Sequence, residues 1–327
     1  MTVTRNILLT GGAGFIGSNM VLYLLEHYPD YRVVILDKMD YCSSIKGIPV
    51  DGERCIFIKG DISSADLVNY ILKEYSIDTV LHYAANSHVD NSFGNSISFT
   101  VNNVLGTHVL LECCKYYGKI QRFIHVSTDE VYGETAYEDN TVEQSVLAPT
   151  NPYAASKAAA EHIVVSYWKS FKLPIIIVRC NNVYGPRQYH EKVIPKFILA
   201  LESDKACTLH GDGSSRRSFI HVADVVRAFD TVLHKGELGE IYNIATDNEI
   251  SMKQLAELLV DIYSSENRID TLSNDYIVHV TDRPFNDVRY HIDGSKLNSL
   301  GFSPTISFED GLKSTIEWYR LYSKDMW

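Results

Sequence analysis

Two rhythms of apolar and polar positions alternate along the first half of the chain. Short apolar runs read as strands: Asn6 to Thr10, Arg32 to Leu36, Cys55 to Ile58, Thr79 to Tyr83, Arg122 to Ser127 and Ile175 to Arg179. Their continuity, instead of strict alternation, marks strands buried on both faces. Between them lie stretches with helical spacing. Phe15 to Tyr28 places Phe15, Ile16, Met20 and Leu24 on one side, and Ala65 to Tyr75 follows a Ser63-Ser64 start signal. Ser96 to Tyr117 contains a further helix, and Pro152 to Lys172 is a long one with proline at its start. This order predicts an α/β fold, a doubly wound, Rossmann-like parallel sheet with helices on both faces.

Past residue 180 the rhythm loosens. Residues 181–217 are rich in Asn, Gly, Pro and charge, with one helix near Pro195 to Glu202. Ala223 to Leu233 reads as helix, Glu240 to Ile244 as strand, Ser251 to Ser264 as a helix with a serine cap, Asp282 to Asp287 as a charged loop and Phe308 to Tyr322 as a closing helix. At about 150 residues per domain, 327 residues suggest two. The expected division is 1–180 with about 218–248 in the sheet domain. Segments of about 181–217 and 249–327 then form a smaller mixed α/β C-terminal lobe.

Composition narrows the classes. Thirty Lys and Arg against 41 Asp and Glu leave a formal charge of −11, opposite to the balance of a non-specific nucleic-acid binder. The longest apolar runs fall far short of the roughly 20 residues of a membrane span, and the opening Met-Thr-Val-Thr-Arg is not read as a signal peptide. The six cysteines form no Cys-x-x-Cys pair and no metal spacing. No metal is expected, and a reduced, cytoplasmic setting is.

The first chemical motif is Gly11-Gly12-Ala13-Gly14-Phe15-Ile16-Gly17, which leaves a strand and opens a helix. Small residues there let backbone N–H groups approach a pyrophosphate at the positive helix terminus. Asp37 closes the second strand 20 residues later, where a carboxylate suits the adenosine ribose hydroxyl and favours NAD, although Lys38 stands beside it. Further on, Ser127-Thr128-Asp129-Glu130-Val131-Tyr132-Gly133 ends the fifth strand. Strand carboxyl ends face the ligand crevice. Two adjacent acids beside a nicotinamide suit an elimination, in which one group removes a C–H proton and another protonates a departing hydroxyl. Tyr153-Ala154-Ala155-Ser156-Lys157 sets a tyrosine and a lysine on one helix face. A lysine cation there is expected to lower the tyrosine pKa towards neutrality.

The three-residue glycine spacing resembles the extended short-chain dehydrogenase/reductase family. Gly60-Asp61-Ile62, His82-Tyr83-Ala84-Ala85 and the Tyr153/Lys157 pair support this. The likeness is closest to the nucleotide-diphosphate-glucose 4,6-dehydratases. It continues through Asn181-Asn182-Val183-Tyr184-Gly185-Pro186, Glu191-Lys192-Val193-Ile194-Pro195-Lys196-Phe197, His210-Gly211-Asp212-Gly213 and Asp282-Arg283-Pro284-Phe285-Asn286-Asp287. His190 departs from the family, which more often has proline there. Phe285-Asn286-Asp287 resembles the UDP-glucose dehydratase domains of UDP-rhamnose pathways.

The resemblance implies retained NAD, held by Gly11, Gly14, Phe15, Ile16, Gly17, Asp37, Lys38, Asp61, Ile62, Ala84, Ala85, Ser87, Tyr153 and Lys157. It implies catalysis by Thr128, Asp129, Glu130, Tyr153 and Lys157, with Asp129 protonated and Glu130 ionised at the start. Ser87, His88, Asn182, Lys192, Arg217, Arg283 and Asn286 are placed against the nucleotide sugar. UDP-glucose is the expected substrate, with dTDP-glucose the alternative. A homodimer built on helices 96–117 and 152–172 is expected, and a downstream epimerase/reductase is implied if rhamnose is the end product. A nucleotide-sugar 4-epimerase or decarboxylase would use the Tyr/Lys pair and NAD without needing the two acids. An NAD-binding sensor would need none of these side chains.

Overall fold

The computed structural model of the chain describes residues 5–135, 141–270, 275–281 and 287–327. Seven parallel strands build the main sheet: β1 (Asn6–Thr10), β2 (Arg32–Asp37), β3 (Cys55–Lys59), β4 (Thr79–His82), β5 (Arg122–Thr128), β6 (Ile175–Cys180) and β10 (Ile241–Ile244). Their order is β3-β2-β1-β4-β5-β6-β10, so the winding reverses between β1 and β4, the point where such sheets open a ligand crevice.

Helices cover both faces. On one side α1 (Phe15–His27) and α8 (Val222–Lys235) bury Met20, Leu24, Val225 and Phe229 against the sheet. On the other, α2 (Ala65–Glu74), α5 (Gly106–Tyr117) and α6 (Pro152–Phe171) contribute Val68, Ile71, Leu110, Val164 and Tyr167. The predicted 96–117 helix is continuous but not uniform. α4 (Ser96–Phe99) passes through a π-helical stretch, Thr100–Leu105, into α5.

The looser C-terminal part holds more strand than its pattern predicts. β7 (Asn182–Tyr184), β9 (Arg216–His221) and β11 (Glu249–Ser251) form a three-stranded sheet, and β8 (Cys207–His210) pairs with β12 (Ile277–Val280). These strands are short and partly polar, and their pairing is supplied by distant chain, so local periodicity does not mark them. Two short helices, α3 (Val89–Gly94) and α10 (Ser295–Asn298), also lie outside the expectation. α7 (Val193–Glu202), α9 (Met252–Ser265) and α11 (Phe308–Met326) close a separate core around Phe197, Leu259, Leu312 and Tyr319. α9 carries the anticipated serine cap as a full capping box, Ser251 with Gln254. The expected boundary at 217/218 cuts β9 in two. Leu297 and Phe302, expected in the smaller lobe, pack in the core of the main sheet. No helix among the described residues is long and apolar enough to cross a membrane.

Candidate active site

The turn after β1 is shaped by glycine at two positions above all. Gly11 has φ +71, and a Cβ there would sit 2.6 Å from the Ala84 amide nitrogen. A Cβ on Gly17 would meet the Gly11 carbonyl oxygen at 2.3 Å. The glycines thus bring β1, β4 and the start of α1 together. Asp37 is buried at the end of β2, its two carboxylate oxygens accepting from the Ala13 N–H at 3.0 Å and the Met39 N–H at 2.8 Å. Lys38 pairs with Asp40 at 3.3 Å and donates to Asn102 Oδ1 at 3.0 Å. All fourteen residues that the resemblance assigns to NAD line one cavity of about 770 Å³.

Asn103, from the π-helical stretch, braces one wall of this cavity. Its side chain accepts from the Asn86 N–H at 2.7 Å and donates to the Asn86 carbonyl and to Ser156 Oγ, both at 2.9 Å.

A second cavity of about 300 Å³ adjoins the first and shares lining residues with it, among them Tyr153, Ser87, His88, Gln188, Glu191 and Lys192. Thr128, Asp129 and Glu130 line the second. β5 ends at Thr128 and turns through a single 3-10 stretch, Asp129–Tyr132, to Gly133 at φ +78. Thr128 Oγ1 accepts from the Glu130 N–H at 3.3 Å and donates to Asp129 Oδ1 at 3.2 Å. Asn181 Nδ2 donates to Asp129 Oδ2 at 2.8 Å, and Asn151 Nδ2 to Glu130 Oε2 at 2.9 Å.

Beneath this turn, Tyr132 donates to Asn243 Oδ1 at 2.9 Å and accepts from Arg179 Nη1 at 2.6 Å. Arg179 in turn pairs with Glu161 at 2.6 Å, both wholly enclosed. The acids therefore sit on a rigid, buried polar base. Burial pushes the Asp129 carboxyl up to about 7, against the opposing effect of the Asn181 hydrogen bond. Burial also raises Glu130, while Asn151, Arg217 and Lys192 pull it down.

Tyr153 and Lys157 occupy successive turns of α6. The expected lowering of Tyr153 by Lys157 is not found. Burial, and then the charge of Glu130, raise the phenol above its ordinary value, with the Thr128 hydrogen bond acting the other way. The Lys157 ammonium donates to the Val126 carbonyl at 2.5 Å, and burial lowers it to about 8. A lysine so desolvated gives the phenol little support against two nearby carboxylates.

At the far end, Arg217 lies 4.7 Å over the ring of Tyr290, and Tyr290 donates to Asp287, which also accepts from Thr150 at 2.7 Å. Lys192 Nζ donates to the Ser87 carbonyl at 2.7 Å. His88 Nδ1 and Asn182 Oδ1 are buried with no hydrogen-bond partner among the described residues. The structure thus gathers Ser87, His88, Asn182, Lys192 and Arg217 at one cavity. Arg283 and Asn286 lie outside the described residues. The His190 ring lies tilted at 35° against Tyr189, with ring centroids 3.9 Å apart.

The sequence reading missed Asn103, Asn151, Asn181, Asp287 and Tyr290. Asn151 carried a signal, since Asn before Pro is a helix-start pattern, and Asn181 and Asp287 stand within motifs of the resemblance without a role read for them. The others are brought in by pairings across the fold.

Residues 8–315 match the family described as GDP-mannose 4,6 dehydratase. An Arabidopsis thaliana protein named trifunctional UDP-glucose 4,6-dehydratase/UDP-4-keto-6-deoxy-D-glucose 3,5-epimerase/UDP-4-keto-L-rhamnose-reductase is 52% identical over 320 residues, covering 96% of this chain and 47% of that protein. The chain spans about half the length of the Arabidopsis relatives it matches. The dTDP-D-glucose 4,6-dehydratase of Mus musculus is 49% identical over 318 residues, covering 97% of this chain and 89% of that one. Among solved structures, the dTDP-glucose 4,6-dehydratase DesIV of Streptomyces venezuelae, with NAD bound, superposes with a TM-score of 0.90 at 40% identity, covering 98% of each chain. The chain belongs to the GDP-mannose 4,6 dehydratase family.

Proposed function

We propose, from that family membership, that the chain is an NAD-dependent 4,6-dehydratase acting on UDP-glucose, with dTDP-glucose as the alternative substrate. The observation that carries this reading is the Asp129–Glu130 pair beside Tyr153, held in two different hydrogen-bond environments. An epimerase or a decarboxylase would have no use for it. The fit of NAD rests on the glycine turn that a Cβ at Gly11 or Gly17 would fill, and on Asp37 at the end of β2. The 52% identity to a protein named for UDP-glucose supports the uridine sugar, and the 49% identity to one named for dTDP-glucose keeps the alternative.

Bound NAD supplies the hydride acceptor for C4 and the donor for C6. Thr128 and Tyr153 hold the O4 hydroxyl, and the O4 proton passes to the Tyr153 oxygen. Burial raises the Tyr153 phenol, which must therefore release its own proton to solvent before it takes that of O4. The C4 ketone acidifies C5–H. Glu130 removes that proton and Asp129, protonated near neutrality, hands one to the C6 hydroxyl, which leaves as water. With the hydride placed at C6, Glu130 returns a proton to C5, and the product is the 4-keto-6-deoxy sugar nucleotide. Ser87, His88, Asn182, Lys192 and Arg217 bind the sugar and diphosphate, Arg217 through a guanidinium fork suited to phosphate, and Arg283 and Asn286 are assigned the same role.

We assign residues 1–180 with about 222–248 and the segment around Leu297 and Phe302 to the cofactor domain, and the rest of 181–327 to the sugar nucleotide. A homodimer is supported by exposed apolar side chains on the two helices in question: Ile97, Val101, Leu105 and Tyr116, with Phe171 on α6. All six cysteines are free, which suits a reducing cytoplasm. If rhamnose is the end product, a 3,5-epimerase and a reductase must consume the ketone. Mass spectrometry after incubation with each sugar nucleotide, without reductant, tests the reading. Loss of one water supports it and the faster substrate names the base, whereas an unchanged mass with inverted stereochemistry replaces it by epimerisation.

A further inference from the structure

We infer that Asn151 is a positioning residue that joins two halves of the reaction, fixing the start of the helix that carries Tyr153 and holding the Glu130 carboxylate in its ionised form. This rests on the dehydratase reading. The side chain has two ends and both are used. Its Oδ1 accepts from the Ala154 N–H at 2.9 Å, capping α6 immediately before Pro152 and Tyr153. Its Nδ2 donates to Glu130 Oε2 at 2.9 Å.

The two contacts are not independent. The Ala154 amide is a donor only and demands the oxygen, so the cap fixes which way the amide faces. The nitrogen is left towards Glu130, where it can only donate. A group that can only donate favours a carboxylate over a carboxylic acid. Asn151 is buried, so water cannot substitute for it cheaply.

The other groups that act on Glu130 come from several elements. Arg217 on β9 and Lys192 before α7 favour its charge, and Asp287 opposes it. Asp129 lies beside it in the same turn, and Tyr153 and Tyr290 feel its charge. Asn151 is the neutral donor to the Glu130 carboxylate, and it is also the N-cap of the helix that carries Tyr153. Sequence distance hides the link, since Glu130 and Asn151 are 21 residues apart.

Serine and aspartate cap helices about as well as asparagine, which separates the two roles. Asn151→Ser keeps a cap oxygen and loses the Nδ2 amide that reaches Glu130, leaving one hydroxyl proton on a shorter side chain. Asn151→Asp keeps the cap and turns a second carboxylate on Glu130. The expected result for Asn151→Ser is an acid limb of the kcat profile displaced upward by about one pH unit. At acid pH this gives a roughly tenfold loss of kcat, with KM held within about twofold. Asn151→Asp should move the limb further. The protein without substrate supplies a second readout. The donor favours the charged carboxylate, so the melting-temperature deficit of Asn151→Ser should grow between pH 5 and pH 8. A kcat profile and a pH dependence of melting that coincide with those of the unaltered enzyme would overturn the inference. So would a pH-independent destabilisation of Asn151→Ala with Asn151→Ser as stable as the unaltered enzyme and no displaced limb, which would leave Asn151 a helix cap alone. If the unaltered enzyme releases no water from either sugar nucleotide, the dehydratase reading fails and this inference with it. An active enzyme with an unmoved profile sinks only the inference.

Discussion

Replacing Asp129 with asparagine should make the protein less active and, above neutral pH, more stable. The side chain is buried, and its carboxyl is raised from 3.8 to about 7 chiefly by loss of water. A carboxyl whose proton is held more tightly in the folded chain contributes stability that is complete below its unfolded pKa. That stability is lost as pH rises through the folded value. The window here runs from about 4 to about 7. At about 1.4 kcal/mol per tenfold change in proton affinity, the ceiling on the loss is about 4 kcal/mol. Asparagine has nearly the same shape, still accepts from Asn181, and never ionises. Chemical denaturation of both proteins across pH 4 to 8 should therefore show a stability difference that grows in favour of Asp129→Asn. Dehydration should fall by a factor of roughly 10² to 10⁴, the usual worth of a positioned acid. A stability difference that stays flat over this range would refute the raised carboxyl. Undiminished water loss would refute its role as the acid.

Two further outcomes are open to measurement. Arg179→Met should cost roughly 3–5 kcal/mol in urea unfolding, because Glu161 is left buried and unpaired, whereas the double change Glu161→Leu with Arg179→Met should recover most of that loss; equal losses in both would exclude an uncompensated charge as the cause. Gly17→Ala places a Cβ 2.3 Å from the Gly11 carbonyl oxygen, so chromatography of nucleotide released from the denatured variant should find little NAD, and a near-stoichiometric amount would refute the turn as its cradle.

The main sheet was legible residue by residue because its strands are apolar on both faces. Ile7 to Leu9 and Ile175 to Val178 need only local pattern to be read as buried strand. β8 carries polar residues at alternate positions and β12 is exposed from Val278 to Val280, and each is a strand only because the other lies beside it across some 70 residues. The candidate catalytic side chains stand in recognisable motifs, whereas the burial that governs their protonation does not show in the sequence. Whether Lys157 supports the Tyr153 phenol depends on the Val126 carbonyl and on burial, and neither leaves a mark on the spacing of Tyr-x-x-x-Lys. Asn181 reaches Asp129 from the end of β6, a contact made by the neighbouring placement of β5 and β6.

Gln188, Glu191 and Lys192 border both cavities at once. Two ligands that share a wall do not bind as strangers. Under the proposed function, whatever factor the cofactor adds to the affinity for the sugar nucleotide, the sugar nucleotide must add to the affinity for the cofactor, since coupling between sites is reciprocal. The short segment 188–192 is thus a point of thermodynamic exchange between the two. A change there that alters the coupling must alter by the same factor how each ligand shifts the dissociation constant of the other.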